Sequence, residues 1–441
     1  MEKEIIDKLL ALVKKGHGVQ TDSRQARTGD IFFSLRGEHH DGNRFAANAL
    51  ESGCQLAVID QPAYDAGPGY LLVDDSLDLL QALSQAYRAQ WNMPVLAITG
   101  SNGKTTTKEL INAALSPSFN AFASKGNLNN HIGLPLSLLS MRQPLDMAIL
   151  EMGANHPGEI ARLCQIARPT YGLITNIGKA HLEGFGSIEG VAAAKGELYE
   201  HIHNTGGLLF VNTNDERLKV MSEGHATIRY GSGPDNHCSA RVISASPTLR
   251  ISFETLRAFG QAEKGISGEI STQLTGAYNL DNVLAAVTVG LFFGVPAWQL
   301  IRSIGDYVPK NHRSQIIQRG SNTIVMDAYN ANPTSMAAAL DNFASFSGEK
   351  KAVFLGDMLE LGPDTAPEHE KLYKRVKQSG FQLMVFVGKH FCGVCRKDGH
   401  QLAFEQVGEA SRWLKERPLD GYSILIKGSR GIQMEELLPY V

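Results

Sequence analysis

Residues 95–110 read VLAITGSNGKTTTKEL. Val95–Thr99 is a short, wholly apolar run ending in a threonine, the pattern of a strand covered on both faces. The glycine turn Gly100-Ser101-Asn102-Gly103 follows, and then Lys104, Thr105 and Thr106 open a helical run. Strand, glycine turn and helix in this order build a phosphate cradle. Glycines let backbone N–H groups approach phosphate oxygens without a Cβ in the way, and the helix start adds partial positive charge. Lys104 can reach the outer phosphates, and the Thr105 hydroxyl can ligate Mg²⁺. The full G-x-x-x-x-G-K-[ST] spacing is not met, because Ile98 stands at its first glycine. The shorter G-x-x-G-K-T is retained. The plain alternative, a glycine turn before a surface lysine, does not explain the flanking strand and helix.

The chain falls into three blocks around this stretch. Before it, IFFSL from Ile31, LAVID from Leu56 and YLLVDD from Tyr70 read as short strands, preceded by an amphipathic N-terminal helix. After it, MAILE from Met147, YGLITNIG from Tyr171 and LLFVN from Leu208 extend a parallel sheet, and the looser alternation over 230–268 suggests a small antiparallel excursion. A third block opens near Asn311. Its strands are TIVMDA from Thr323, KAVFLGD from Lys351, LMVFVGK from Leu383 and SILIKG from Ser423, with helical patterns such as 333–343 and 368–377 between them. Alternating strands and helices predict a second open α/β sheet. The fold class expected is therefore α/β in three domains: 1–92, 93–310 with a mostly parallel sheet carrying the phosphate loop, and 311–441. A length of 441 residues agrees, at roughly 150 per domain.

Composition narrows the function. Lys plus Arg number 42 against 45 Asp plus Glu, a net charge of −3. This gives no support for a sequence-independent grip on nucleic acid or for a polybasic membrane anchor. The N-terminus is acidic from its second residue and does not read as a signal peptide. The longest apolar stretch, 283–298, is shorter than the ~20 residues a spanning helix needs, and Pro296 interrupts it. Five scattered cysteines suit a reducing cytoplasm better than a disulfide scaffold.

Three further residues are candidates for chemistry. Glu151 ends the MAILE strand, at the edge where open α/β sheets bind ligands. Taken alone it reads as a solvated strand-end acid; beside the phosphate loop, a Mg²⁺ role is favoured. His181 follows a strand by a few residues, and Lys195 lies in a helix of small residues. Spacing alone raises neither above a structural histidine or a solvated lysine. Cys392 and Cys395, with His390 and His400 nearby, form a single C-x-x-C, too little for a zinc site; they are taken as structural or incidental.

The longer motifs resemble a known family. TGSNGKTT, SKGNLNNHIGLP (124–135), LEMGANHPGEI (150–160), TNIGKAHLEGFGS (175–187) and AAAKGEL (192–198) look like the ATP-dependent Mur ligases. NHRSQ (311–315), MDAYNANPTSM (326–336), LGDMLELG (355–362) and IKGSRG (426–431) extend the likeness through the third block, and TDSR (21–24) with GDIFFSLRGEHHDG (29–42) through the first. YNANP and NLNNHIG make it most similar to the members that add D-alanyl-D-alanine. The resemblance implies a first domain for the UDP end of a UDP-MurNAc-tripeptide, a central P-loop ATPase and a Rossmann-like third domain that closes over the site. It implies ATP and Mg²⁺ as cofactors, and an acyl phosphate on the peptide that the amine of D-Ala-D-Ala attacks. A cytoplasmic monomer with no nucleic acid partner and no membrane span is expected.

It also implies roles. Gly100 to Thr106 should hold the nucleotide phosphates, with Lys104 neutralising the transferring phosphoryl group. Thr105 and Glu151 should hold one Mg²⁺ and His181 should help hold a second, joined by Lys195 as a carbamate. Asn279 should lie on the adenine side, and Arg313 and Asp327 should reach the phosphates and the ribose. Ser23, Arg24 and Asp41, together with Asn127, Asn129 and Asn130, should face the nucleotide-sugar substrate; Asn330 and Asn332 should face the dipeptide. Two positions depart from the family: Tyr278 and Asn43 stand where histidine is usual. The rival readings are a sibling amide ligase, a folylpolyglutamate synthase-like enzyme, and a non-catalytic nucleotide-binding protein. YNANP speaks against the first two, and the joint presence of Lys104, Glu151, His181 and Lys195 against the third.

Overall fold

The computed structural model describes residues 2–38, 40–310 and 312–441; Met1, His39 within GDIFFSLRGEHHDG, and Asn311, the expected start of the third domain, lie outside the described residues. Three main sheets and a two-stranded ribbon, Arg36–Gly37 with His40–Asp41, hold the strands among the described residues, and all three apolar blocks fold as α/β layers.

The middle sheet positions the site. Its nine strands run, from one edge, Ser267–Ser271, Arg250–Thr255, Cys238–Ser244, Thr227–Gly231, Leu208–Asn212, Tyr171–Ile174, Val95–Thr99, Met147–Glu151 and Ala121–Ala123. The strands from Thr227–Gly231 to Ala121–Ala123 are parallel, and the last three toward the other edge form the antiparallel excursion. Register aligns Ile98 with Glu151 and Thr99 with Ile174. The phosphate turn, Glu151 and Thr175 therefore emerge together at one carboxyl edge, between strands that Val95, Leu96, Ala97 and Ile98 lock in place by full burial. Truncating a side chain such as Ile98 there would cost about 2–5 kcal/mol. The apolar stretch beginning at Val283 is a core helix, Leu280–Phe292, packed against the phosphate-loop helix Lys104–Leu115. No helix among the described residues is long and apolar enough to cross a membrane.

The first sheet is parallel, in the order Val19–Gln20, Ile31–Phe33, Leu56–Ile59, Tyr70–Leu72. Helix Ser76–Arg88 joins it to the middle layer: Leu79, Leu80 and Leu83 share one apolar cluster with Leu134, Leu138 and Leu163. Arg88 fixes the joint, donating to the carbonyls of Trp91 and Ala167 at 2.6 and 2.7 Å. The chain near residue 92 thus crosses a continuous core.

The third sheet runs Gln315–Arg319, Asn322–Asp327, Tyr422–Lys427, Lys350–Gly356, Leu383–Val387, Ala403–Phe404. All pairs are parallel except the first, an antiparallel hairpin on the edge. Gln315–Arg319 is too polar to read as a strand from sequence; its pairing with Asn322–Asp327 holds it. Cys392 and Cys395 are buried, free thiols on helix Lys389–Lys397.

Candidate active site

The carboxyl edge of the middle sheet faces the third sheet across a cavity of about 590 Å³. Ser101, Asn102, Gly103, Lys104, Thr105, Thr106, Asn127, Asn129, Asn130, Glu151, His181, Asn279, Arg313, Asp327, Asn330 and Asn332 all line it. Residues 230 positions apart thus touch, as in the contact between Asn102 and Asn332.

The phosphate turn is braced from behind. Ser101 N–H donates to the Asn176 carbonyl at 3.0 Å, Asn102 N–H to Asn176 Oδ1 at 3.1 Å, and Thr175 Oγ1–H to the Asn102 carbonyl at 2.6 Å. Gly100 and Gly103 take φ of 140° and 79°. A Cβ at Gly100 would stand 1.9 Å from Thr175 Oγ1, and one at Gly103 2.6 Å from Asn282 Oδ1. Both glycines are required by conformation and by space. Gly100 lies under the turn, not on the cavity wall, and its carbonyl accepts from Lys104 Nζ at 2.7 Å. Desolvation by the surrounding protein holds the Lys104 pKa below the ordinary lysine value; Glu151 opposes that shift and Arg313 adds to it.

Glu151 is only 2% exposed and fully engaged. Thr105 Oγ1–H donates to Oε2 at 2.7 Å and Asn129 Nδ2–H to Oε1 at 2.8 Å, while the Glu151 backbone N–H donates to Ser124 Oγ at 3.0 Å. It is therefore no solvated strand-end acid. Lys108, fully buried on the phosphate-loop helix, donates to the Ser124 carbonyl and so steadies the loop that steadies Glu151.

Lys195 is 1% exposed on helix Ile188–Asn204 and sits behind the cavity wall, 5.6 Å from the Phe185 ring centre. Burial, with Lys104 nearby, pushes its pKa down to about 7. It is not the solvated lysine that the helix pattern allows. His181 adopts φ 52° and lies, by Nδ1, 2.6 Å from Glu360 Oε2 of the third unit. That contact holds the Glu360 carboxyl below the usual range.

The third unit closes by further contacts. Lys179 Nζ lies 2.6 Å from Glu368 Oε1, and Asn332 Nδ2 donates to Asn102 Oδ1 at 2.7 Å. Asn332 also caps helix Pro333–Ala344 reciprocally with Ser335. The Arg313 guanidinium carbon lies over the Tyr329 ring, 3.5 Å from its centre. Asp327 accepts from Ser314 N–H at 3.1 Å and from buried Lys427 at 2.6 Å. Asn279 is buried and bonded to the Thr275 carbonyl at 2.8 Å, and Tyr278 OH lies 3.0 Å from Ser314 Oγ, tying the 276–282 segment to the third unit.

The first-unit residues stay apart. Ser23, Arg24 and Asp41 do not line this cavity. Arg24 pairs with Asp22, and Asp41 caps the turn at Gly42–Phe45. Asn43, the departure from histidine, is buried, donating to Asp41 and Asp60 at 2.9 Å each. Lys427, Ser429, Arg430 and Glu360 line the cavity without having been singled out in the sequence. Their motifs, IKGSRG and LGDMLELG, were visible, but nothing in one dimension aims those side chains inward.

Mg²⁺ fits the donors present. Thr105 and Glu151 offer hard oxygens 2.7 Å apart. Among the described residues no group of three or more His, Cys, Asp or Glu converges. Mg²⁺ keeps waters and substrate phosphates in its shell, so one or two protein carboxylates suffice.

A closing P-loop ATPase unit with a second α/β unit over it is the arrangement of a nucleotide-dependent ligase. The chain belongs to the Mur ligase family: residues 15–97 match the Mur ligase family catalytic domain, 98–290 the Mur ligase middle domain and 312–430 the Mur ligase glutamate ligase domain. It is 34% identical over 434 residues to the UDP-N-acetylmuramoyl-tripeptide--D-alanyl-D-alanine ligase of Bacillus subtilis, covering 96% of this chain and 92% of that one. The Escherichia coli enzyme of the same name is 32% identical, covering 95% and 92%. A crystal structure of MurF from Acinetobacter baumannii superposes with a TM-score of 0.84 at 31% identity, covering 98% and 97%. MurF ligase from Thermotoga maritima in complex with ADP gives 0.82 at 25% identity, covering 97% of each chain.

Proposed function

We infer that this chain is an ATP-dependent, ADP-forming ligase that joins D-alanyl-D-alanine to UDP-MurNAc-tripeptide through an acyl phosphate, in cytoplasmic peptidoglycan precursor synthesis. The observation that carries this is the meeting of Lys104, Thr105 and Glu151 with Arg313 and Asp327 across one cavity.

The residues divide the work. The loop from Ser101 to Thr106 cradles the phosphates, and Lys104 offsets charge on the γ-phosphoryl group as it moves to the tripeptide carboxylate oxygen. Arg313, stacked over Tyr329 by a cation–π contact, meets the same phosphates from the other side, while Asp327 and Asn279 orient ribose and base. Thr105, Glu151 and His181 would hold Mg²⁺. When bound, it neutralises the repulsion between carboxylate and phosphate. Lys195 joins that set only as a carbamate. A pKa lowered to about 7 leaves much of its amine neutral near pH 7, and the neutral amine is the form that adds to CO₂ and loses a proton.

Asn127, Asn129 and Asn130 steer the peptide end of the nucleotide sugar, and Ser23, Arg24 and Asp41 its UDP end. Asn330 and Asn332 receive the dipeptide. Its amine attacks the acyl carbonyl, and the tetrahedral adduct collapses to an amide with release of phosphate and a proton. Closure through Asn102–Asn332 and Lys179–Glu368 shields the acyl phosphate from water. The expected 1–92, 93–310 and 311–441 division follows this labour, and the chain acts as a monomer.

An amine panel tests the reading. With ATP and UDP-MurNAc-tripeptide, D-Ala-D-Ala should support turnover, and L-lysine, diaminopimelate and glutamate should not. Turnover with a single amino acid alone would assign the chain to a sibling reaction.

A further inference from the structure

Resting on the ligase reading above, we propose that Arg430 anchors the terminal carboxylate of the incoming dipeptide, with Leu359 as the apolar contact beside it. The two other polar residues of Lys427-Gly428-Ser429-Arg430 are consumed in holding the loops. Lys427 is 2% exposed, paired with Asp327 at 2.6 Å and donating to the Asn330 carbonyl at 3.2 Å. Ser429, also 2% exposed, accepts from Leu359 N–H at 3.0 Å and donates to the Ala331 carbonyl at 3.3 Å. These two residues clasp the 327–331, 357–359 and 427–430 segments into one wall. Arg430 comes next, and it is exposed on that wall.

The other cations of the cavity have work. Lys104 is bonded within the phosphate turn, Lys427 is neutralised by Asp327, and Arg313 lies against the phosphate side, where it perturbs Lys104. Among the described residues Arg430 has no carboxylate within 4.0 Å. Among the described residues its side chain makes one hydrogen bond, Nη1 to Tyr329 OH at 3.4 Å, and its guanidinium lies 5.4 Å from the centre of the Tyr329 ring that Arg313 also contacts, which leaves most of its five N–H donors for a ligand. A guanidinium fork matches a carboxylate in two parallel bonds. Leu359, a large apolar side chain left 38% exposed, lies so close to Gly431 that a Cβ there would stand 3.0 Å from its Cδ1. A cation next to a small apolar surface, on the wall that carries Asn330, suits a compact dipeptide ending in a methyl-bearing carbon and a carboxylate.

The test is kcat/KM for D-Ala-D-Ala and for its C-terminal amide, in wild type, Arg430→Ala and Arg430→Lys. The wild type should favour the acid by roughly 30-fold or more, the scale of losing one charged hydrogen-bonded pair. Arg430→Ala should lose about that factor on the acid, chiefly in KM, and its acid-to-amide preference should collapse below about 3-fold. Arg430→Lys should fall between, and KM for ATP, which also reports an intact fold, should stay within about 3-fold. An Arg430→Ala variant that keeps the acid preference, or whose loss falls on ATP, overturns the assignment. A wild type that ligates a different amine and ignores D-Ala-D-Ala overturns the ligase specificity itself.

Discussion

Replacing Lys427 with methionine removes a buried cation while nearly keeping its volume. In the wild type its ammonium sits 2.6 Å from Asp327 Oδ2 and 3.2 Å from the Asn330 carbonyl. The side chains are 2% and 17% exposed, so the Asp327 carboxylate would be left with the Ser314 N–H and little water. Breaking a buried pair by deleting one partner costs about 3–5 kcal/mol. The remaining Ser314 bond and the partial exposure of Asp327 put the cost at the lower end, about 3 kcal/mol, or about 150-fold in an opening equilibrium. Amide hydrogen exchange followed by mass spectrometry reads this locally. Peptides covering Asn322–Asp327 and Tyr422–Lys427, neighbours in register, should exchange about 150-fold faster in Lys427→Met, with those from Val95–Thr99 unchanged. The double variant Lys427→Met/Asp327→Asn should return to within about 10-fold of wild type, because no unpaired charge remains. Acceleration below about 5-fold in the single variant would refute the view that this pair holds the third-sheet wall of the cavity.

Other perturbations act on the chemistry. Lys104→Ala should lower ligation by about 1000-fold or more with an unchanged circular dichroism spectrum, as expected when the cation at the transferring phosphoryl group is lost. Glu151→Gln leaves one oxygen for two donors, Thr105 and Asn129; ligation should fall about 100-fold and the Mg²⁺ concentration for half-maximal rate should rise, measured by titration. Lys195→Ala should be severely impaired and partly restored by small carboxylates that stand in for the carbamate; an unimpaired rate would remove Lys195 from the metal site.

Local pattern carried much of this protein. The phosphate loop was legible because strand, glycine turn and helix are adjacent in sequence, and apolar runs such as Val95–Thr99 and Met147–Glu151 were legible because both faces of those strands are covered. The likeness of the longer motifs carried the family. What stayed hidden depends on contacts between distant residues. Lys195 reads as a surface lysine until the helix is packed behind the cavity, where it is 1% exposed. Gln315–Arg319 has no strand pattern and is held by its partner. Asp327 was visible, but its partner Lys427 lies 100 residues on. That Ser429 is bonded within the wall while Arg430 lines the cavity follows from loop geometry that adjacent letters do not encode.

The most direct measurement is phosphate release from ATP and Mg²⁺ with UDP-MurNAc-tripeptide, with and without D-Ala-D-Ala, together with the mass of the product. A ligase of this specificity releases phosphate only when both substrates are present and yields a product heavier by the dipeptide less water. Release with the tripeptide that is indifferent to D-Ala-D-Ala, with no such product, would contradict it.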